Sequence, residues 1–154
     1  MVARPRRPQR RPTERLPQGP RRRRPGIRFV TAVHTDESWL SGPHTAARTA
    51  DLTYHRLPDD QVVGEGAPMV GERVLGDFAD ITVGVWEIEP SVSCDVEIDE
   101  VFVVLSGDAT VQFEDGTPDL DLGPGSVVRV RAGQKTRWVV RDTLRKVYLA
   151  APIP

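Results

Sequence analysis

From Thr53 onward the chain is a succession of short apolar runs, each ended by Gly, Pro or Asp, and no stretch sustains a helical period over three turns. Nine runs read as strands: Thr53–Leu57, Glu72–Leu75, Ala79–Ile88, Val101–Leu105, Ala109–Phe113, Asp119–Leu122, Ser126–Val130, Arg137–Val140 and Arg145–Leu149. Most are rich in Val, Ile, Thr or aromatic residues, which fit a pleated, half-buried surface. Their spacing of about ten residues suits a sandwich or barrel. Asp115-Gly116 supplies the positive φ values of a tight hairpin, and Leu122-Gly123-Pro124-Gly125 marks a second turn. No internal repeat is visible, so the expectation is an all-β fold with one closed barrel. Asp36–Ser41 is the one segment that reads as a short helix.

The chain before this region has a different composition. Residues 1–28 carry eleven arginines and a single acid, Glu14, so of 21 basic and 22 acidic residues the other 126 positions hold ten and 21. The near-neutral total therefore joins a basic tail to an acidic body. Six prolines and almost no apolar side chain stand between Val2 and Ile27, too little burial to offset ordering entropy. Residues 1–28 are expected to be a disordered Arg/Pro-rich tail, 29–52 an extension or arm, and 53–152 the barrel. Such a tail could contact phosphate on nucleic acid. No aromatic residue stands among the arginines, so stacking on bases is not supported. Arg21 to Arg24 precede no apolar core, so no cleavable signal or membrane span is read. The single Cys94 excludes an intrachain disulfide and suits a cytoplasmic protein.

Two spacings organise the body. Glu100 is followed by six residues and then Gly107; Gly125 is followed by five residues and then Arg131-Ala132-Gly133. Around them stand Gly64-Glu65-Gly66-Ala67-Pro68, Gly84-Val85-Trp86-Glu87, Pro90, Glu114-Asp115-Gly116, Trp138 and Arg145-Lys146-Val147-Tyr148. Over roughly residues 53 to 150 this ordered set resembles the cupin superfamily, and within it the subfamily of the ureidoglycine aminohydrolase cupin domain. The resemblance implies a single-domain cupin jelly-roll β-barrel with an interior pocket, built as a homodimer. Thr53–Leu57 and Glu72–Leu75 would be the edge strands in need of cover.

Departures from the family pattern bear on the chemistry. Cupins place two histidines, one residue apart, shortly before the motif Glu. Here those positions hold Cys94 and Val96, or Ser93 and Asp95 if the gap is one longer. The histidine expected in the second block is Thr136. The three histidines, His34, His44 and His55, all precede the motifs. No cofactor is therefore expected. A divalent metal would have to use Glu100, Cys94, Asp95 and Glu97, oxygen-rich donors of the kind that suit Mn or Ca. Strict alternation, however, sets Asp95, Glu97 and Asp99 opposite Glu100, as a solvated acidic face. The acidic neighbours of Cys94 also disfavour its thiolate.

Alternation along the other strands places Phe102 and Val104 on the face of Glu100, Thr136 and Val140 on that of Trp138, and Lys146 with Tyr148. The candidate ligand-binding residues are Trp86, Glu100, Thr136, Trp138, Lys146 and Tyr148. Glu100 is the candidate catalytic acid or base, since burial raises a carboxyl pKa toward the range of proton transfer. Equally, Glu100 and Lys146 could form an internal ion pair with a structural role. The leading expectation is a small-molecule-binding protein, its ligand a small polar or anionic metabolite. The alternatives are an aminohydrolase-like enzyme acting on a ureido or amide compound, and a nucleic-acid-associated protein acting through its tail.

Overall fold

The alternating runs form eight antiparallel strands, and no helix occurs among the residues that the computed structural model describes, 45–152. The tail, the arm up to residue 44, the short helix expected at Asp36–Ser41, and His34 and His44 lie outside the described residues. In chain order the strands are β1 (Thr53–Arg56), β2 (Met69–Phe78), β3 (Ile81–Ile88), β4 (Ser91–Val96), β5 (Glu100–Phe113), β6 (Leu120–Leu122), β7 (Val127–Val130) and β8 (Lys135–Ala150).

Two long strands organise the rest. β5 joins two runs that the sequence separates at Ser106-Gly107-Asp108, and β8 joins two runs separated at Arg141-Asp142-Thr143. These polar interruptions are bends rather than loops. The β5–β8 ladder passes through register shifts between Val104 and Ala109 and then resumes. Gly107 sits at the bend with φ 100°, and a Cβ there would lie 2.5 Å from the Thr143 carbonyl oxygen. Only glycine combines that conformation with that approach. Outside the bend, Arg141 clasps Asp108 with Nε–Oδ2 of 2.7 Å and Nη2–Oδ1 of 2.6 Å.

Bending divides each long strand between two sheets. The first half of β5 and the second half of β8 pair with β7 and β3, and β2 and β1 continue that sheet. The second half of β5 and the first half of β8 pair with β6 and β4. Strands that switch sheets at bulges give the closed, two-layered form of a jelly roll. Between the layers lie Ile88, Phe102, Val104, Val111, Val130, Leu144 and Tyr148, all but excluded from solvent. The Tyr148 ring lies directly over Gly84, where a Cβ would come within 2.4 Å of it.

Three strand boundaries differ from the sequence expectation. Ala79 and Asp80 do not open β3; with φ of 48° and 65° they form the tight turn between β2 and β3. A two-residue hairpin turn of type I′ needs positive φ at both central positions, and here it takes them without glycine. β2 begins at Met69 rather than Glu72 and runs between β1 and β3, so it is an interior strand, and of the two strands expected at the edge only β1 lies there. β4 was not expected at all, because Ser91-Val92-Ser93-Cys94-Asp95-Val96 is too polar to read as a strand. It forms because β8 offers one edge, while the segment Gln61–Val63 covers the other. Cys94 N–H donates to the Gln61 carbonyl, and Val63 N–H to the Val92 carbonyl, both at 2.8 Å.

Candidate functional site

β4, with the turn that follows it, shapes the site. Its inward residues Ser91, Ser93 and Asp95 stand opposite Val140, Trp138 and Thr136 of β8. The chain then leaves β4 in a turn locked by Glu97 N–H to the Gln134 carbonyl and Gly133 N–H to the Glu97 carbonyl, both 2.8 Å. Residues 97–99 are therefore not extended through one ladder, and the two-residue alternation loses its phase before β5 starts at Glu100. Glu97 and Glu100 are consequently both buried. This overturns the expectation that Asp95 and Glu97 form a solvated face; of the three acids only Asp99 is exposed.

These residues border a cavity of about 190 Å³. Its walls are apolar and aromatic: Trp86 and Ile88 from β3, Trp138 and Tyr148 from β8, and Leu57 at the end of β1. Glu100 and Lys146 meet inside it, with Asp95, Glu97 and Gln61 alongside. Cys94, the exposed free thiol, also lines it.

Lys146 is held within a ring of aromatic faces. Its Nζ lies 2.5 Å from Glu100 Oε1, and 4.3, 4.9 and 5.4 Å from the ring centres of Phe102, Trp86 and Trp138. The ion pair is nearly dry, with side-chain exposures of 8% for Lys146 and 4% for Glu100. Ring quadrupoles and one carboxylate together replace the water lost by the ammonium.

A second polar knot lies beside the first. Thr136 Oγ1 donates to Glu97 Oε1 at 2.5 Å, and Trp138 Nε1 donates to the same oxygen at 3.0 Å. Thr136 is buried but does not border the cavity; it acts on the site through Glu97. Asp95 Oδ1 accepts from Val96 N–H at 2.6 Å and from Gln61 Nε2 at 3.4 Å. Burial, and next the negative charge of Glu97, push the Asp95 carboxyl up to about 7. Further inside, Tyr148 Oη donates to Glu72 Oε1 at 2.7 Å. Burial raises the pKa of both groups, and the Glu72 charge adds to the rise at Tyr148.

Of the six ligand-binding candidates, five line one cavity and Thr136 stands behind it. Sequence reading did not place Gln61 there or Phe102 beside the ammonium, and it weighed Asp95 and Glu97 as pocket donors against a solvated face. Their common signal is β4, whose pairing brings all but Phe102 into place.

The donors do not fit a cupin metal. The positions where the family carries histidines hold an exposed Cys94 and Val96, or Ser93 and Asp95, and Thr136 is engaged with Glu97. Among the described residues no three His, Cys, Asp or Glu side chains converge on one point. Glu100, the one surviving family ligand, is engaged by the Lys146 ammonium rather than free to ligate a metal.

Residues 76–148 match the family described as the EutQ-like cupin domain. Over that span the barrel has the cupin fold. A DUF861-family structure of unknown function from Pseudomonas syringae pv. tomato superposes with a TM-score of 0.59 at 24% identity, covering 68% of this chain and 46% of that one. The EutQ protein of Clostridium difficile aligns with a TM-score of 0.49 at 18% identity, over 55% of this chain and 64% of that one. A DUF861-family protein from Thermotoga maritima aligns at 31% identity over 42% of this chain and 73% of that one, with a TM-score of 0.39. The cupin thus spans less than half the length of the Pseudomonas protein and under two thirds of the Clostridium one. Among curated proteins none matches the chain. No helix among the described residues is long and apolar enough to cross a membrane.

Proposed function

We propose that this cupin domain binds a small polar molecule in the cavity beside Glu100. One observation carries the reading: an apolar, aromatic-walled cavity of about 190 Å³ into which several buried polar side chains converge. Binding sites for small molecules have this make-up, and the usual range of about 300–1,000 Å³ belongs to drug-sized ligands. The ligand here is correspondingly small. Trp86, Trp138 and Tyr148 supply the contact surface; Glu100 and Lys146 supply hydrogen-bonding charge; Thr136 holds Glu97 in place. The reading calls on no metal.

The test is a thermal-shift screen of small metabolites on the full chain, repeated with Trp86→Ala. Ligands that prefer the folded state raise the melting temperature. A hit should lose most of its shift in Trp86→Ala. A screen in which every hit keeps its shift in that variant places binding elsewhere and defeats the reading.

One observation favours a second reading, an enzyme acting on a ureido or amide compound. A general acid or base works best with a pKa near the operating pH, and the Asp95 carboxyl lies at about 7 inside the cavity. Glu100 would then orient the substrate rather than exchange protons, since Lys146 engages it. Ammonia release from a panel of ureido and amide compounds should show a limb in kcat/KM near pH 7 that Asp95→Asn removes. Absence of turnover across the panel leaves the domain as a binding module.

A further inference from the structure

We propose that the cavity selects a small organic nitrogen cation, an ammonium or amidinium on a short carbon skeleton, over a carboxylate of the same shape. This rests on the binding reading above and names its ligand class; it also replaces the anionic ligand that the sequence suggested.

Asp95, Glu97 and Glu100 border the cavity with a single basic side chain, Lys146. That ammonium is spent on Glu100 at 2.5 Å. No salt bridge to Asp95 or Glu97 occurs among the described residues. An entering anion would add like charge to a poorly solvated space, where repulsion is strong; an entering cation would relieve it.

Glu97 takes both its bonds, from Thr136 and Trp138, on Oε1, and Asp95 takes both of its own on Oδ1. Glu97 Oε2 and Asp95 Oδ2 have no hydrogen-bond partner among the described residues. Gln61 Oε1 is a buried acceptor without a partner. The neighbourhood has spare acceptors, and the complement is a ligand rich in N–H donors.

Trp86 and Trp138 already accept an ammonium, that of Lys146, at 4.9 and 5.4 Å from their centres. Both rings also line the cavity and can act on a second cation through the same quadrupole.

Proton linkage adds a signature. The charged groups acting on Asp95 are Glu97, Lys146 and Glu100, and burial and the Glu97 charge hold its carboxyl at about 7. A bound cation favours the ionised form, so cation affinity should rise with pH through this range and binding should release a proton.

The experiment uses the full chain and three molecules of one shape: acetamidinium, acetamide and acetate, carrying positive, zero and negative charge. Binding is followed at pH 8 by calorimetry and by the indole N–H resonances of Trp86 and Trp138. Acetamidinium should bind at least about tenfold more tightly than either of the others. Asp95→Asn and Glu97→Gln should each weaken it by about tenfold, and Asp95→Asn should remove the pH dependence between about 6 and 8. Acetate or acetamide binding as tightly as acetamidinium, with the indoles responding, overturns the cation class and leaves the cavity as the binding site. Acetamidinium binding that both variants retain in full overturns the roles assigned to Asp95 and Glu97. Silence of both indoles and of the calorimeter toward all three molecules overturns the cation class; if the metabolite screen has also yielded no cavity ligand, the binding reading falls with it.

Discussion

Lys146 and Glu100 are paired in a setting where either one alone would be costly. Removing one member of a buried ion pair costs about 3–5 kcal/mol, because the other charge is stranded. Lys146→Met, which keeps the length and loses the charge, should therefore lower unfolding free energy by that order in urea titration. The double variant with Glu100→Gln should recover most of the loss. A single variant as stable as the parent would mean that Glu100 is hydrated in solution. Asp95 sets an opposite dependence. Its carboxyl, ordinarily near 3.8, lies at about 7 in the folded protein. A raised folded pKa means that the folded state holds the extra proton, so this contribution is present in full below about pH 4 and is lost as pH rises through about 7. Asp95→Asn should flatten the fall in stability between those limits relative to the parent chain.

At the scale of elements, the bend in β5 and β8 decides the architecture, because it carries both strands from one sheet into the other. Gly107→Ala would combine a positive φ with a Cβ driven against the Thr143 backbone. The backbone there is held by ladder bonds on both sides and cannot yield cheaply. A loss of roughly 2–3 kcal/mol is expected, with far-UV circular dichroism little changed at low temperature. Retention of full stability would show that the ladder slips to accommodate the methyl group. β4 illustrates the opposite case, a strand defined by its neighbours. Its own side chains give weak β-propensity, yet it is paired to β8 on one edge and covered by Gln61–Val63 on the other.

For the whole molecule, the outer face of the larger sheet is unusually apolar. Val101 and Leu149 sit opposite each other in the β5–β8 ladder at 39% and 41% exposure, and Val127 on the adjoining β7 is 69% exposed. Contiguous apolar surface of this kind marks association sites on soluble proteins. A homodimer joined through this face is expected. Light scattering at tens of micromolar, roughly where a stable dimer persists, should give twice the chain mass. Leu149→Glu with Val127→Lys should return it to the monomer mass. A monomeric parent chain would remove the prediction.

The amino-acid sequence by itself determined the class of fold and its reference points. Period-two alternation and turn residues set the all-β reading, and Glu100 with Gly107 located the pocket and, as it proved, the bend. Those features are local: a strand face and a positive φ depend on a few neighbouring residues. The tertiary structure alone decided the phase of alternation across Glu97–Asp99, and with it which carboxylates enter the cavity. It also decided that Ser106–Asp108 and Arg141–Thr143 are bends within strands, and that a polar hexapeptide becomes β4. Each of these depends on register with a partner distant in sequence, such as Asp95 against Thr136 or Glu97 against Gln134. No short window of the chain contains that information, because a ladder is specified by two segments at once.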